Sequence, residues 1–243
     1  MDIWIYVALI ALFAGLVKGI SGFGSSLVSI PLLALVFGSD YVKEIVVVMV
    51  TFNLVLNTLL LVENKGFHPD SLRRVWIIPV FGVIFTILGI YILVSVEERI
   101  ISVIAGVLIV VAVLNRAFDM RVRIPDTPWV KAIVGSLSGI GNGIASIDGP
   151  PVVFYLTSIQ AKPVYFKNVL AAHFLVMGLV AVTFHLIWGS YTLDILWILL
   201  VMLGGTILGL LVGMRLGRRL DETWFNRIVL VILIGLAISL LLP

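Results

Sequence analysis

The sequence predicts an all-α membrane protein made of two inverted-topology repeats, each a broken, re-entrant-like helical hairpin followed by three transmembrane helices. Three observations lead there. The chain of 243 residues is 61% hydrophobic and 12% charged, with a mean hydropathy of +1.23. A soluble domain has no use for so much apolar surface, so its solvent is lipid. Landmarks recur 120 positions apart: Gly15, Gly19, Pro31 and Ile87-Leu88-Gly89 return as Gly135, Gly139, Pro151 and Ile207-Leu208-Gly209, and Glu97-Glu98 is loosely echoed by Asp221-Glu222. Glycine-rich polar sequence interrupts the first apolar segment of each copy, at 19–26 and at 139–150.

The first repeat covers residues 1–120, with a broken segment at 3–38 and helices at 42–62, 75–95 and 99–115. The second covers 121–243, with a broken segment at 128–160 and helices at 163–188, 193–214 and 224–242. Six of these segments have ordinary spanning lengths of about 17–25 residues. The two broken ones do not. Each half is about 14 residues, or roughly 21 Å of helix, against a hydrocarbon core of about 30 Å. Each therefore reads as two half-helices that enter and return on one side.

Loop charges select broken segments that return to their own side, whether as re-entrant hairpins or as two short complete crossings, which have the same parity. If both broken segments double back, Lys65, Arg73, Arg74, Arg116, Arg121, Arg123, Lys131, Lys162, Lys167, Arg215, Arg218, Arg219 and Arg227 share one face, and only Lys43 and Arg99 lie on the other. If every segment crosses once, the two faces carry nearly equal charge. The positive-inside rule favours the first arrangement, with both termini outside the cell membrane. Each repeat then crosses an odd number of times, so the second is upside down relative to the first and the two hairpin tips can meet at mid-membrane. Trp4, Trp76, Trp129, Trp188, Trp197 and Trp224 all lie near segment ends, where indole favours the interface.

Several classes are excluded or disfavoured. The chain has no cysteine, so it has no disulfide, thiolate metal site or thiol nucleophile. The net charge of +3 comes from scattered loop residues and gives no footprint for nucleic acid. The N-terminus lacks a basic n-region, so no cleaved signal peptide is expected. There is no HExxH, no GxSxG and no carboxylate pair deep in a span, so no catalytic residue, metal or cofactor is called for.

The chemistry gathers at the tips. Irregular backbone survives at membrane depth only where it lines a cavity. The outgoing half-helix of each hairpin begins at its tip, so free N–H groups and a positive dipole end face that cavity and suit an anion. Gly22, Phe23, Gly24, Ser25 and Ser26 form the first tip, with Ser25 and Ser26 as N-caps. Asn142, Gly143, Ser146, Gly149 and Pro150 form the second, with Ser146 or Asp148 as its cap and Pro150 and Pro151 early in the helix. Lys18 is too deep to snorkel, so it either balances a bound anion or pairs with Asp148. Asp148 either caps a helix or takes the coupling proton. Asn53 and His173 share the 120-residue offset near the middle of the next span, and an intramembrane histidine can hold a proton near neutral pH. Asn57 lies one turn beyond Asn53; His68 and His185 receive no role. Glu97, Glu98, Asp221 and Glu222 suit helix starts. Gly205, Gly209, Gly213 and Gly217 form a close-packing face, for a contact between repeats or for a homodimer.

The run Phe13-Ala14-Gly15-Leu16-Val17-Lys18-Gly19-Ile20-Ser21-Gly22-Phe23-Gly24, continuing to Pro31-Leu32-Leu33, resembles the TauE/SafE family of sulfite and organosulfonate exporters. So does Gly135-Ser136-Leu137-Ser138-Gly139, continuing to Asp148-Gly149-Pro150-Pro151-Val152-Val153. The resemblance extends over the whole chain. It implies movement of small anions such as sulfite, sulfoacetate or related sulfur and carboxylate compounds, coupled to protons (or Na+). The expected function is a secondary transporter, exporting by family likeness, with substrate held between the tips. A passive anion channel or an importer stays open, as do, in another class, an intramembrane enzyme or an assembly factor.

Overall fold

The computed structural model describes residues 3–63, 73–117 and 124–217. The expected last helix at 224–242, Trp224, Asp221-Glu222 and the loop residues Lys65 and His68 lie outside the described residues. Among the described residues the chain is helical, with no strand. The helices are α1 (Ile3–Ser21), α2 (Ser25–Phe37), α3 (Val42–Glu63), α4 (Ile77–Ser95), α5 (Glu98–Ala117), α6 (Pro128–Ala145), α7 (Gly149–Ser158), α8 (Pro163–Ile187) and α9 (Leu193–Gly217). A short 3-10 turn at Ser39–Tyr41 precedes α3. Among the described residues, five helical stretches are long and apolar enough to cross a membrane: Ile3–Ser21, Ser39–Val62, Ile77–Ser95, Val164–Ile187 and Leu193–Gly217. The protein is a multi-pass membrane protein. Its outer surface carries apolar side chains such as Leu9, Leu35, Ile84, Leu88, Leu200 and Leu208, as a lipid-facing surface requires. Trp4, Trp76, Trp129, Trp188 and Trp197 are also exposed.

Neither broken segment bends at its centre. The first has arms of 19 and 13 residues, the second arms of 18 and 10. The breaks are only 22–24 and 146–148, shorter than the glycine-rich runs suggested. Gly19 to Ser21 and Gly139 to Ala145 stay helical. What ends α1 is Gly22 at φ 80° and Gly24 at φ 93°, and what ends α6 is Ser146 at φ 51°. The other glycines serve packing, and their tertiary contacts override the helix penalty of about 1 kcal/mol each.

That packing joins opposite halves. α1 lies along α9, where Gly205, Gly209 and Gly213 meet the carbonyls of Ala8, Leu12 and Leu16 in turn. The rising register on both helices makes them parallel. α6 lies along α4 in the same manner: Gly135, Gly139 and Gly143 meet the carbonyls of Ile78, Gly82 and Thr86. The first arm of each hairpin is thus seated on a span of the other half, and the Gly205 face is a contact inside the chain. The contact register departs from the 120-residue offset. Gly15 meets Thr206 O and Leu210 N, whereas the corresponding Thr86 O and Ile90 N are met by Gly143, not Gly135. Glycines repeated every four residues match equally well after a slide of one or two turns, so sequence alone could not fix this register. α3 and α8 pack against each other at the centre, and α3 also touches α2, α5 and α9.

The second hairpin doubles back. Tyr155 of α7 donates to Asp126 Oδ1 at 2.7 Å, so the far part of α7 returns to the place where α6 begins. Lys131 of α6 pairs with the same carboxylate at 2.8 Å, and Arg74, just before α4, at 3.2 Å. Lys131 also donates to Arg74 O. This cluster ties the mouth of the hairpin to α4 outside the spanning helices.

Two outcomes test this packing. A Cβ at Gly209 would run into Leu12 O, while one at Gly204 meets open space. Overpacking costs about 1–3 kcal/mol, and each kcal/mol moves the midpoint of a chain this size by about 2–4 °C. Gly209→Ala should therefore lower the thermal midpoint in detergent by several degrees and Gly204→Ala should not; equal effects would contradict the seam. Asp126 is held down from 3.8 to about 2, chiefly by the hydrogen bond from Lys131 and then by Tyr155 and Arg74, against a burial effect that raises it. A depressed carboxyl stabilises the fold above its unfolded value and loses that contribution as pH falls through the folded one. The wild-type midpoint should drop more steeply between pH 4 and 2 than that of Asp126→Asn, and parallel curves would exclude the role.

Candidate functional site

The first tip is organised by one buried amide. Asn53 of α3 accepts from Lys18 Nζ at 3.0 Å and from Ser25 Oγ at 2.6 Å through Oδ1. Its Nδ2 donates to Ser26 Oγ at 2.7 Å and to Ser146 Oγ of the other tip at 3.0 Å. All four hydrogen-bonding sites of the amide are used. Reversing it would set an NH2 group against an ammonium. Lys18 is only 3% exposed, and Asn53 gives it the oxygen that a buried cation needs. Its Nζ also sits 5.9 Å from the centre of the Phe174 ring.

Ser25 and Ser26 are not the N-caps expected of them. Gly24 holds that position, and the two hydroxyls, in the first turn of α2, turn to Asn53 instead. The turn is drawn tight by Gly22 N donating to Lys18 O at 2.7 Å, and by Ser21 Oγ bonding Val17 O and Phe23 O. Lys18 makes its bond to Asn53; among the described residues it forms no ion pair with Asp148 within 4.0 Å.

The second tip is built differently. Ile147 N donates to Gly141 O at 2.9 Å, which folds the loop back on α6, and a Cβ at Gly141 would strike Ile147 O. Asp148 occupies the N-cap position of α7, but its side chain makes no capping bond, and neither does that of Ser146. Pro150 and Pro151 have no N–H, and Ile147 N–H is already used. α7 therefore brings a dipole to the site with few amide donors, whereas the first turn of α2 carries an N–H on every residue. The two helix starts are not equivalent.

Both tips line one cavity. Its walls are Lys18, Phe23, Gly24, Ser25, Ser26, Leu27, Asn53, Ser146, Ile147, Asp148, Gly149, Pro150 and Phe174, and it encloses about 20 Å³ of water-accessible space. That is room for about one water. Gly149 lies beneath Phe23 and Phe174, where an added Cβ would come within 3.3 Å and 3.5 Å of the rings.

Four expected residues fall outside this wall. Gly22 is in the turn. Asn142 donates to Met177 O at 3.3 Å, in the contact of α6 with α8, and Gly143 is in the α4 seam. His173 is fully buried behind the second tip, 2.8 Å from Ser138 Oγ. Ser138 was not singled out from sequence. It also donates to Asp148 O at 2.7 Å. One signal pointed to it: Ser138 precedes His173 by 35 residues, as Lys18 precedes Asn53. Leu27 and Phe174 are further wall residues that sequence reasoning passed over as ordinary apolar positions, and Ile147, within the expected second tip, joins them.

A lipid-facing helical chain with two broken segments meeting at a buried polar cavity has the build of a membrane transport protein. This chain belongs to the sulfite exporter TauE/SafE family, whose model matches residues 7–240. No curated protein and no solved structure matches it.

Removing the Asn53 side chain strands several buried groups at once, each unsatisfied group costing about 1–3 kcal/mol. Asn53→Ala should lower the thermal midpoint by more than 5 °C, whereas Asn57→Ala, whose Oδ1 has no partner, should have a smaller effect. The reverse order would contradict the hub.

Proposed function

We propose that this protein is a secondary transporter of a small sulfur-containing anion, sulfite or a short organosulfonate, at the cell membrane. The observation that carries the reading is the cavity where a buried lysine and the first turn of α2 face the second tip. An anion there meets an ammonium already oriented by Asn53, the hydroxyls of Ser26 and Ser146, whose hydrogens Asn53 leaves free, and the positive end of a helix. Family membership supports this substrate class. The cavity has room for only about one water, so a larger anion enters only after the tips part.

The halves are arranged as inverted repeats, with termini outside. Reciprocal seating of α1 on α9 and α6 on α4 supports this, as does the loop charge bias. Rocking the α1–α9 unit against the α4–α6 unit exposes the cavity to each side in turn. Lys18 balances the anion. Asp148 is the coupling acid: an anion bound beside a carboxylate favours its protonation, so anion and proton bind together. That linkage supports a second reading of direction. Joint movement with a proton draws the anion inward along a proton gradient, whereas movement of the anion alone is driven outward by an inside-negative potential, at about 2.3 kcal/mol per charge per 100 mV.

Purified protein in liposomes should move sulfite saturably. Lys18→Gln should raise the half-saturation concentration at least tenfold, as expected for losing a charge-assisted hydrogen bond. Asp148→Asn should retain anion movement but lose its response to a pH gradient. No saturable movement of sulfite, sulfonates or sulfate would refute transport; an unchanged pH response in Asp148→Asn would remove the coupling role.

A further inference from the structure

We infer that Ser138 and His173 are the positioning pair of the second tip, and that His173 acts there as a neutral hydrogen-bond donor and not as a proton carrier. The inference rests on the transport reading for its functional consequence alone. Ser138 Oγ stands 2.7 Å from Asp148 O and 2.8 Å from His173 Nε2. A serine hydroxyl has one hydrogen, and a carbonyl oxygen can only accept. Two bare oxygens would repel at 2.7 Å, so the hydroxyl proton goes to Asp148 O. The 2.8 Å contact then requires the hydrogen on Nε2. The chain of donors runs from His173 through Ser138 to the backbone of the residue that begins α7.

The other ring nitrogen completes the assignment. His173 Nδ1 is buried and has no hydrogen-bond partner among the described residues. A second proton on Nδ1 would create a cation with nothing to receive its hydrogen bond. Around the ring are Ser138 of α6, Phe174 and Met177 of its own helix, and α4, where a Cβ on Gly82 would come 3.3 Å from His173 Cε1. None of these is charged. The charged groups of the site, Lys18 and Asp148, line the cavity; His173 does not.

The arrangement fixes Asp148. Pulling its carbonyl towards α6 sets the start of α7 against the hairpin's own first arm, and His173 ties that clamp to α8. Asn53 does the corresponding work for the first tip, reaching from α3 to Lys18 on α1. The difference is the group delivered: a side-chain ammonium at one tip, a backbone bend at the other.

The test uses the full chain in lipid vesicles. The nitrogen spectrum of 15N-histidine-labelled protein, with the His173 signals assigned by Gln substitution, should show the neutral Nε2–H tautomer throughout roughly pH 5–8. Protonation within that range, or the Nδ1–H tautomer, would overturn the inference whether or not the protein transports. In sulfite flux, Ser138→Ala and His173→Leu should each raise half-saturation about tenfold, and the double variant should be no worse than either single one. His173→Gln, which keeps an N–H, should stay within about twofold of wild type and keep its pH dependence. A shifted pH profile in His173→Gln, or multiplied losses in the double variant, would overturn it. Absence of sulfite flux in the wild type would instead fall on the transport reading and leave the tautomer result to decide.

Discussion

A lysine buried at the bend of a membrane hairpin needs an oxygen, and the site is organised around the one it has. Asn53 supplies that oxygen with one end of its amide and holds both tips with the other. An isolated ammonium is strongly disfavoured in hydrocarbon. Once bonded to Asn53, Lys18 can remain at a cavity wall as a fixed positive charge. The short polar side chains at 25, 26 and 146 then have a clear purpose. They satisfy the amide that orients the cation, and they bring the two halves of the chain to one point.

The glycine seams make that meeting possible. Helices with side chains at every contact position lie 8–10 Å apart, whereas the carbonyls of α1 touch glycine backbone on α9, and those of α4 touch glycine backbone on α6. Lipid gives no hydrophobic drive for helix association, so close van der Waals contact has to supply it. Seating each hairpin on a span of the other half also couples the halves mechanically. A displacement of α9 carries α1 and the first tip with it, and a displacement of α4 carries α6 and the second. The cavity is lined from both tips, between two such units.

The class of this protein was legible because hydropathy reports the solvent directly. The existence of the breaks was legible too, since glycine and serine runs inside apolar segments are rare without cause. Where the chain turns was not. Glycine serves equally for a reversal and for a close helix contact, and only the positive φ of Gly22, Gly24 and Ser146 separates the two uses. Asn142 and Gly143 sat in a tip-like sequence for the same reason, yet they belong to seams. Caps misled in a related way: serine at a helix start is a good cap in isolation, but here Asn53 competes for the hydroxyls and Gly24 provides the bend. Ser138 was hidden because a small residue between Gly135 and Gly139 reads as packing. Its importance depends on a carbonyl ten residues later folding back beside it, which no local pattern shows.

The claim on which the rest stands is that the two tips meet at Asn53 in the membrane. The chain contains no cysteine, so Ser26→Cys and Ser146→Cys can be introduced together without interference. Both hydroxyls lie within 3.0 Å of Asn53 Nδ2. In lipid vesicles mild oxidation should join this pair as a disulfide within one chain, detected by mass spectrometry of the digested protein, and should leave a Ser26→Cys, Ser158→Cys pair unlinked. Failure to link positions 26 and 146, with both thiols shown to be reactive after denaturation, would contradict the account.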